Sequence, residues 1–371
     1  MRIGKEMHMK KLTALLLVIL LLGVISTASA ATVIDAESDR GIIPKGDPTQ
    51  NNPRIPGESM TTGLPFEGEY IPILVNIDNV HGAWPQWGIG DADIIYEMPI
   101  AGWELTRLVA LFADKHPQNA GPVRSGRVLH AELREEWDAG WTFAGIQNKA
   151  GTNVNEALRK FGARKKTHDL IYDLNGNKFS KYYHNVKDHK PPHHHSVHVQ
   201  ELVEHARGYE FPERPFLFTD ALPTVGDTAT SISLVYNCNK ACYTNSAFTY
   251  DATTNLYTRT RRGKPYVDQN NPDQALTFSN VIVQWTDLSF NGAANAPVLR
   301  EVGTGNADIF MGGRYIAGLW KRSDMTSRTV FYDENGEEIR LQRGKTWITV
   351  TARPSPEQRS KGAKGTEVTY E

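Results

Sequence analysis

Ile94-Ile95-Tyr96-Glu97-Met98-Pro99-Ile100, followed by Glu104-Leu105-Thr106-Arg107-Leu108-Val109-Ala110-Leu111-Phe112, is the stretch that decides the fold. Both runs are apolar at odd and even positions alike and Gly102 lies between them. They therefore read as the arms of an antiparallel hairpin covered on both faces at the centre of a sheet. Upstream, Ile71, Ile73, Val75 and Ile77 alternate into a strand closed by the polar Asn76, Asp78 and Asn79. Downstream, Val123-Arg124-Ser125-Gly126-Arg127 leads into a helix with a Leu129, Leu133, Trp137 stripe and Ser125 as its N-cap. A second short helix follows Thr152 as far as Phe161, and a third spans about 197–207 between Ser196 as N-cap and Gly208. From Ser231 the pattern changes to short strands at Ile232–Tyr236, Leu256–Arg261, Val281–Trp285, Tyr315–Trp320 and Val330–Asp333, with Asn335-Gly336 as a hairpin turn. The expected class is α+β: a mixed α/β N-terminal domain over 69–220, then a mostly β C-terminal domain over 221–352. Residues 31–68, with Pro44, Pro48, Pro53, Pro56 and Pro65, read as a disordered linker, and 353–371 as a loose tail.

The composition is that of a globular chain: 371 residues, 40% hydrophobic, with 41 Lys plus Arg against 42 Asp plus Glu. That balance argues against a nucleic-acid partner, which needs a basic stripe. Lys10 and Lys11 precede an apolar run from Leu12 to Ile25, and Ala28-Ser29-Ala30 supplies a small-residue cleavage site. Residues 1–30 are thus expected to be a signal peptide cut after Ala30, because 14 apolar residues fall short of the ~20 that span a bilayer. The mature chain would be exported, without a transmembrane segment, and at −4 mildly acidic. No cysteine stands at the cleavage site to take a lipid. Cys238 and Cys242 suit a local disulfide in an oxidising compartment and are too few for a structural zinc site.

Several segments resemble one family. These are Val75-Asn76-Ile77-Asp78-Asn79, Trp84-Pro85-Gln86 with Gly88, Ala92-Asp93-Ile94-Ile95-Tyr96-Glu97, Thr106-Arg107 and Gly121-Pro122-Val123-Arg124-Ser125-Gly126-Arg127. Further on come Pro192-His193, Tyr257 with Arg259, Gly263 with Pro265, Asp268, Asn280-Val281-Ile282-Val283 and Gly344-Lys345-Thr346-Trp347. Together, over 69–350, they resemble the YerB-like family of bacterial envelope proteins. The resemblance implies two family domains and an envelope location, with no established reaction. Members usually carry a lipobox cysteine, which this chain lacks. Where many have a His-x-Gly-Gly-Ser-like segment this chain has Gln147-Asn148-Lys149-Ala150-Gly151-Thr152, so no role of that histidine transfers.

Three constellations carry candidate chemistry. Arg124 and Arg127 bracket a helix start, where unpaired N–H groups and a partial positive charge favour anions; the competing role is pairing with Asp78, Asp93 or Glu97. Glu97 faces Arg107 across the hairpin if Ala101-Gly102-Trp103 is a three-residue loop, whereas a four-residue loop would put Met98 there. His184, His189, His193, His194, His195, His198 and His205 crowd one segment, but without a zinc-protease pattern they read as loop histidines and no metal or cofactor is expected. Trp84, Trp87 and Trp103 fall in turns, where tryptophans pack or stack on sugar rings. The resulting expectation is a polar cleft lined by Asp78, Asn79, Asp93, Glu97, Arg107, Arg124, Ser125, Arg127 and His193, holding a carboxylate or phosphate of a cell-wall component. The alternative is an envelope-polymer hydrolase with Glu97 or Asp93 as general acid or base.

Overall fold

The structure is a computed structural model that describes residues 31–371 apart from 103–104, 150–151, 163–169, 177, 237–244, 292–295, 353, 355 and 363–364. Residues 1–30, expected to be a signal peptide, and Cys238, Cys242 and Trp103 therefore lie outside the described residues.

The hairpin sits at the heart of an 11-stranded mixed sheet. Strand β1 (Ile73–Asp78) pairs antiparallel with β3 (Leu105–Phe112), and β3 with β2 (Ile94–Ala101). On the other side β2 pairs in parallel with β6 (Thr346–Thr351), which pairs in parallel with β5 (Asn280–Trp285). One sheet therefore runs without a break from the N-terminal to the C-terminal half. Strand β4 (Gly140–Phe143) lies beyond β1, and the Gly303–Met311 and Arg314–Arg322 ribbon lies beyond β5.

The two apolar faces of the hairpin have two covers. Ile94, Tyr96, Met98, Val109 and Leu111 pack against helix α1 (Val128–Trp137) through Leu129, Leu133 and Trp137. Ile95, Leu108, Ala110 and Phe112 face helix α3 (Val199–Ala206) and a second sheet that includes Ser231–Tyr236, Ser246–Asp251 and Leu256–Arg261. Helix α2 (Val154–Phe161) is capped by Asn153, whose side chain accepts from the Glu156 N–H at 3.2 Å.

Four expectations need correction. The hairpin closes with Ala101 opposite Leu105, but a bulge between Pro99 and Ala101 shifts the register, so Arg107 pairs with Met98 and Glu97 with Leu108. Proline has no N–H to give a ladder, which makes this the natural place for the extra residue, Ile100. Residues 31–68 are not a disordered linker: Thr32–Val33 pairs with Thr366–Tyr370, and Ser59, Thr61 and Thr62 are buried. Nor is the end of the chain a loose tail, since Thr366–Tyr370 fills a place between Thr32–Val33 and Ser231–Tyr236. Finally, residues 195–198 form a strand with Ser196 buried under Trp87, whose indole N–H donates to its hydroxyl at 2.9 Å; the helix begins only at Val199.

Candidate anion-binding site

Strand alternation divides the expected cleft in two. Asp78 and Arg107 face the α1 side of the sheet, where they stand directly opposite each other across β1 and β3. Asn79, Thr106 and Glu97 are joined on the other side: the Asn79 amide donates to Glu97 Oε1 at 3.0 Å and to Thr106 at 2.7 Å. Successive side chains of a strand point to opposite faces, so neighbours at the end of β1 serve different sites.

On the α1 side, Arg107 Nη1 donates to Asp78 Oδ1 at 2.6 Å. Arg124 Nε lies 3.1 Å from Asp78 Oδ2, and His193 Nδ1 lies 2.7 Å from the same oxygen. Burial alone would push the Asp78 carboxyl up, but Arg107, the His193 hydrogen bond and Arg124 together bring it below its usual range. It is therefore ionised, and the His193 nitrogen is the donor.

Arg127 is different. Among the described residues no carboxylate pairs with it; its Nη1 donates to the Gly126 carbonyl at 3.0 Å. Burial, with Arg107 and Arg124 nearby, lowers its guanidinium to about 10, which leaves it charged at neutral pH. Arg107 and Arg124 thus share the Asp78 carboxylate, Arg127 stands beside them without one, and Arg124 is 28% exposed.

Ser125 does not cap α1. The N-cap position is Arg127, and the cap is supplied from inside the helix, where His130 Nδ1 accepts the Arg127 N–H at 3.2 Å. The tautomer follows from its neighbours. The Trp141 indole, a donor only, bonds Asn76 Oδ1 at 2.9 Å, so the Asn76 nitrogen must be the donor to Ser125 O and to His130 Nδ1 at 2.7 Å. Burial, then Arg107 and Arg127, holds His130 well below its ordinary value and hence neutral. Its proton is on Nε2, a fully buried donor with no partner. Nothing in the sequence distinguished this histidine, because its role depends on Asn76, 54 residues away along the chain and itself oriented by Trp141.

The other expected residues do not converge here. Glu97 is fully buried, bonded by Asn79 and Thr106 (2.7 Å) and 3.9 Å from Arg259. Asp93 lies at the far end of β2, where its Oδ2 accepts from Thr61 and from the Ala113 and Asp114 N–H groups, all at 2.9 Å. Burial and the nearby Asp114 raise it to about 8. Its bonds tie segment 59–62 and the end of β3 to the sheet. The histidines are dispersed: His189 bonds Gln269, His205 bonds Tyr172, His195 bonds Asn185, and His184 meets His198 at 3.1 Å. Among the described residues no group of three or more His, Cys, Asp or Glu side chains could hold a metal ion.

These features define an α+β protein whose two halves share one sheet and whose N-terminal half carries an arginine-rich cluster at the start of α1. The chain belongs to the DUF3048 family: residues 61–211 match its N-terminal domain and 233–348 its C-terminal domain, both described as protein of unknown function. It is 25% identical over 298 residues to the putative lipoprotein YerB of Bacillus subtilis strain 168, covering 78% of this chain and 84% of that one. The crystal structure of B. subtilis YerB shares the fold, with a TM-score of 0.65 at 24% identity over 79% of this chain and 96% of that one. The family resemblance expected from the motifs is thereby established. Among the described residues no helix is long and apolar enough to cross a membrane.

Proposed function

We propose that this is an exported envelope protein, processed after Ala30, whose α1 recess binds the carboxylate or phosphate of a cell-wall component. The observation that carries the reading is the imbalance of Arg107, Arg124 and Arg127 against Asp78 alone, beside the unmet His130 N–H. Cations held close together in a partly dry recess repel one another, and an incoming anion relieves that repulsion while accepting charge-assisted hydrogen bonds. Hydrolysis by Glu97 or Asp93 is the weaker reading, because both carboxyls are buried and engaged by internal donors.

The test uses inorganic phosphate and acetate as probes. Either should raise the melting temperature of the wild type, by an amount equivalent to about 2.7 kcal/mol at a hundredfold excess over Kd. Arg127→Gln, which keeps most of the aliphatic stem, should abolish the shift and leave the anion-free protein as stable as before. A shift that survives in Arg127→Gln, or its absence in the wild type, overturns the reading.

A further inference from the structure

Across the sheet from the recess, a cleft of about 600 Å³ opens between residues 81–86 and the turn from Arg261 to Val267. Its walls are mixed. Trp84, Pro85, Pro265, Tyr266 and Val267 give apolar surface, while Arg261 and Lys264 give cations; among the described residues no carboxylate lines it.

The floor is the informative part. Arg261 is 4% exposed and is clamped between two rings, its guanidinium carbon 3.9 Å from the centre of the Trp84 ring and 4.5 Å from that of Tyr266. Stacking satisfies the faces of a guanidinium but not its in-plane N–H groups. Nη2 donates to Asn79, whereas Nε and Nη1 are buried without partners. Beside it, Gln86 is fully buried. Its nitrogen donates to the Asp78 carbonyl at 2.9 Å, which fixes Oε1 as the acceptor, and Oε1 too has no partner. The Tyr266 hydroxyl is likewise buried and unmet.

Buried polar atoms are nearly always hydrogen-bonded, so unmet donors and an unmet acceptor lining one cleft call for an occupant with matching groups. The occupant needs a negative charge for Arg261, a hydroxyl for Gln86 Oε1 and an apolar ring face for the aromatic wall. We infer that this cleft binds a sugar ring bearing an acidic group, with the carboxylate or phosphate on Arg261 and an adjacent hydroxyl on Gln86. This site is separate from the α1 recess and does not depend on it.

Titration calorimetry with D-glucuronate, glucose 1-phosphate and neutral glucose tests the inference. At least one charged sugar should bind, glucose should bind roughly tenfold more weakly or not at all, and the responding sugar shows whether carboxylate or phosphate is preferred. Arg261→Gln should remove binding of the charged sugar while keeping the phosphate response of the α1 recess. Should that variant fail to fold, Lys264→Glu at the exposed rim serves in its place and should weaken the charged sugar roughly threefold. Equal binding of glucose, no binding of either acid at millimolar concentration, or unchanged affinity in both variants overturns the inference. Loss of charged-sugar binding in Arg127→Gln but not in Arg261→Gln would place the sugar in the recess and overturn it as well.

Discussion

Around the first turn of α1 three guanidiniums, Arg107, Arg124 and Arg127, gather with a single carboxylate, Asp78, which pairs with the first two. Toward the other end of the same helix Arg134 and Arg322 meet four, Glu135, Asp138, Glu136 and Glu301. The second cluster spends its guanidinium donors, although Arg134, Glu135 and Asp138 also line a cavity. Arg322 also donates to the carbonyls of Glu132, Met325 and Ser327, and Glu136 accepts the Thr329 N–H at 2.8 Å. Its guanidinium therefore fastens the helix to the Arg314–Arg322 strand and the turn after it. The first cluster keeps donors unspent, among them Arg107 Nε and His130 Nε2. Buried arginine alone does not mark a site; what separates recognition from scaffolding is whether the protein's own acceptors use up its donors.

The largest effect should come from removing the one acid at the cationic end. Asp78→Ala takes the carboxylate from Arg107 and Arg124 and leaves both uncompensated beside Arg127, and should cost about 3–5 kcal/mol in denaturant unfolding. A loss under about 1 kcal/mol would mean that the cluster is already balanced and would erase the contrast. Arg322→Met at the acidic end should cost less, about 1–3 kcal/mol at pH 6, because Glu301 and Glu132 already sit above their ordinary values and can take up protons. The cost should grow at pH 8, where holding those protons is harder.

The centre of the fold was legible because a hairpin covered on both sides is apolar at odd and even positions alike, and Ile94–Ile100 displays that at every position but Glu97. Its register was not, since one bulge residue at Ile100 decides whether Arg107 meets Glu97 or Met98. The chain end carried a usable signal: Thr366, Val368 and Tyr370 alternate with polar residues and are the ones buried. A five-residue run lying just past a charged segment reads as tail. Of the site residues, Asp78, Arg107, Arg124 and His193 come together as the sequence suggested. Asn79, Glu97 and Asp93 do not, because β1 continues to Asp78 and alternation sends Asn79 to the opposite face. Gln86, Arg259 and Arg261 appeared only as family positions or as part of a strand, since their contacts span more than a hundred residues of chain.

The finest test concerns slope rather than level, because the two charge clusters that meet α1 should respond to pH with opposite sign. His130 is held neutral in the fold but titrates normally once unfolded, so below pH 6.5 the unfolded chain binds more protons and the stability from this cluster is lost as pH falls. Glu132 is raised from 4.5 to about 7 by burial, so between those values the folded chain holds the extra proton and stability is lost as pH rises. Melting temperature followed from pH 4 to 8 should therefore fall less steeply on the acid side in His130→Gln, and less steeply from pH 4.5 to 7 in Glu132→Gln. Each change should amount to a few degrees, at roughly 2 °C per kcal/mol for a chain of this size. If both substitutions flatten the same limb, the two clusters are electrostatically alike, and the distinction between a cationic cluster with donors to spare and an acidic clasp that uses them up fails.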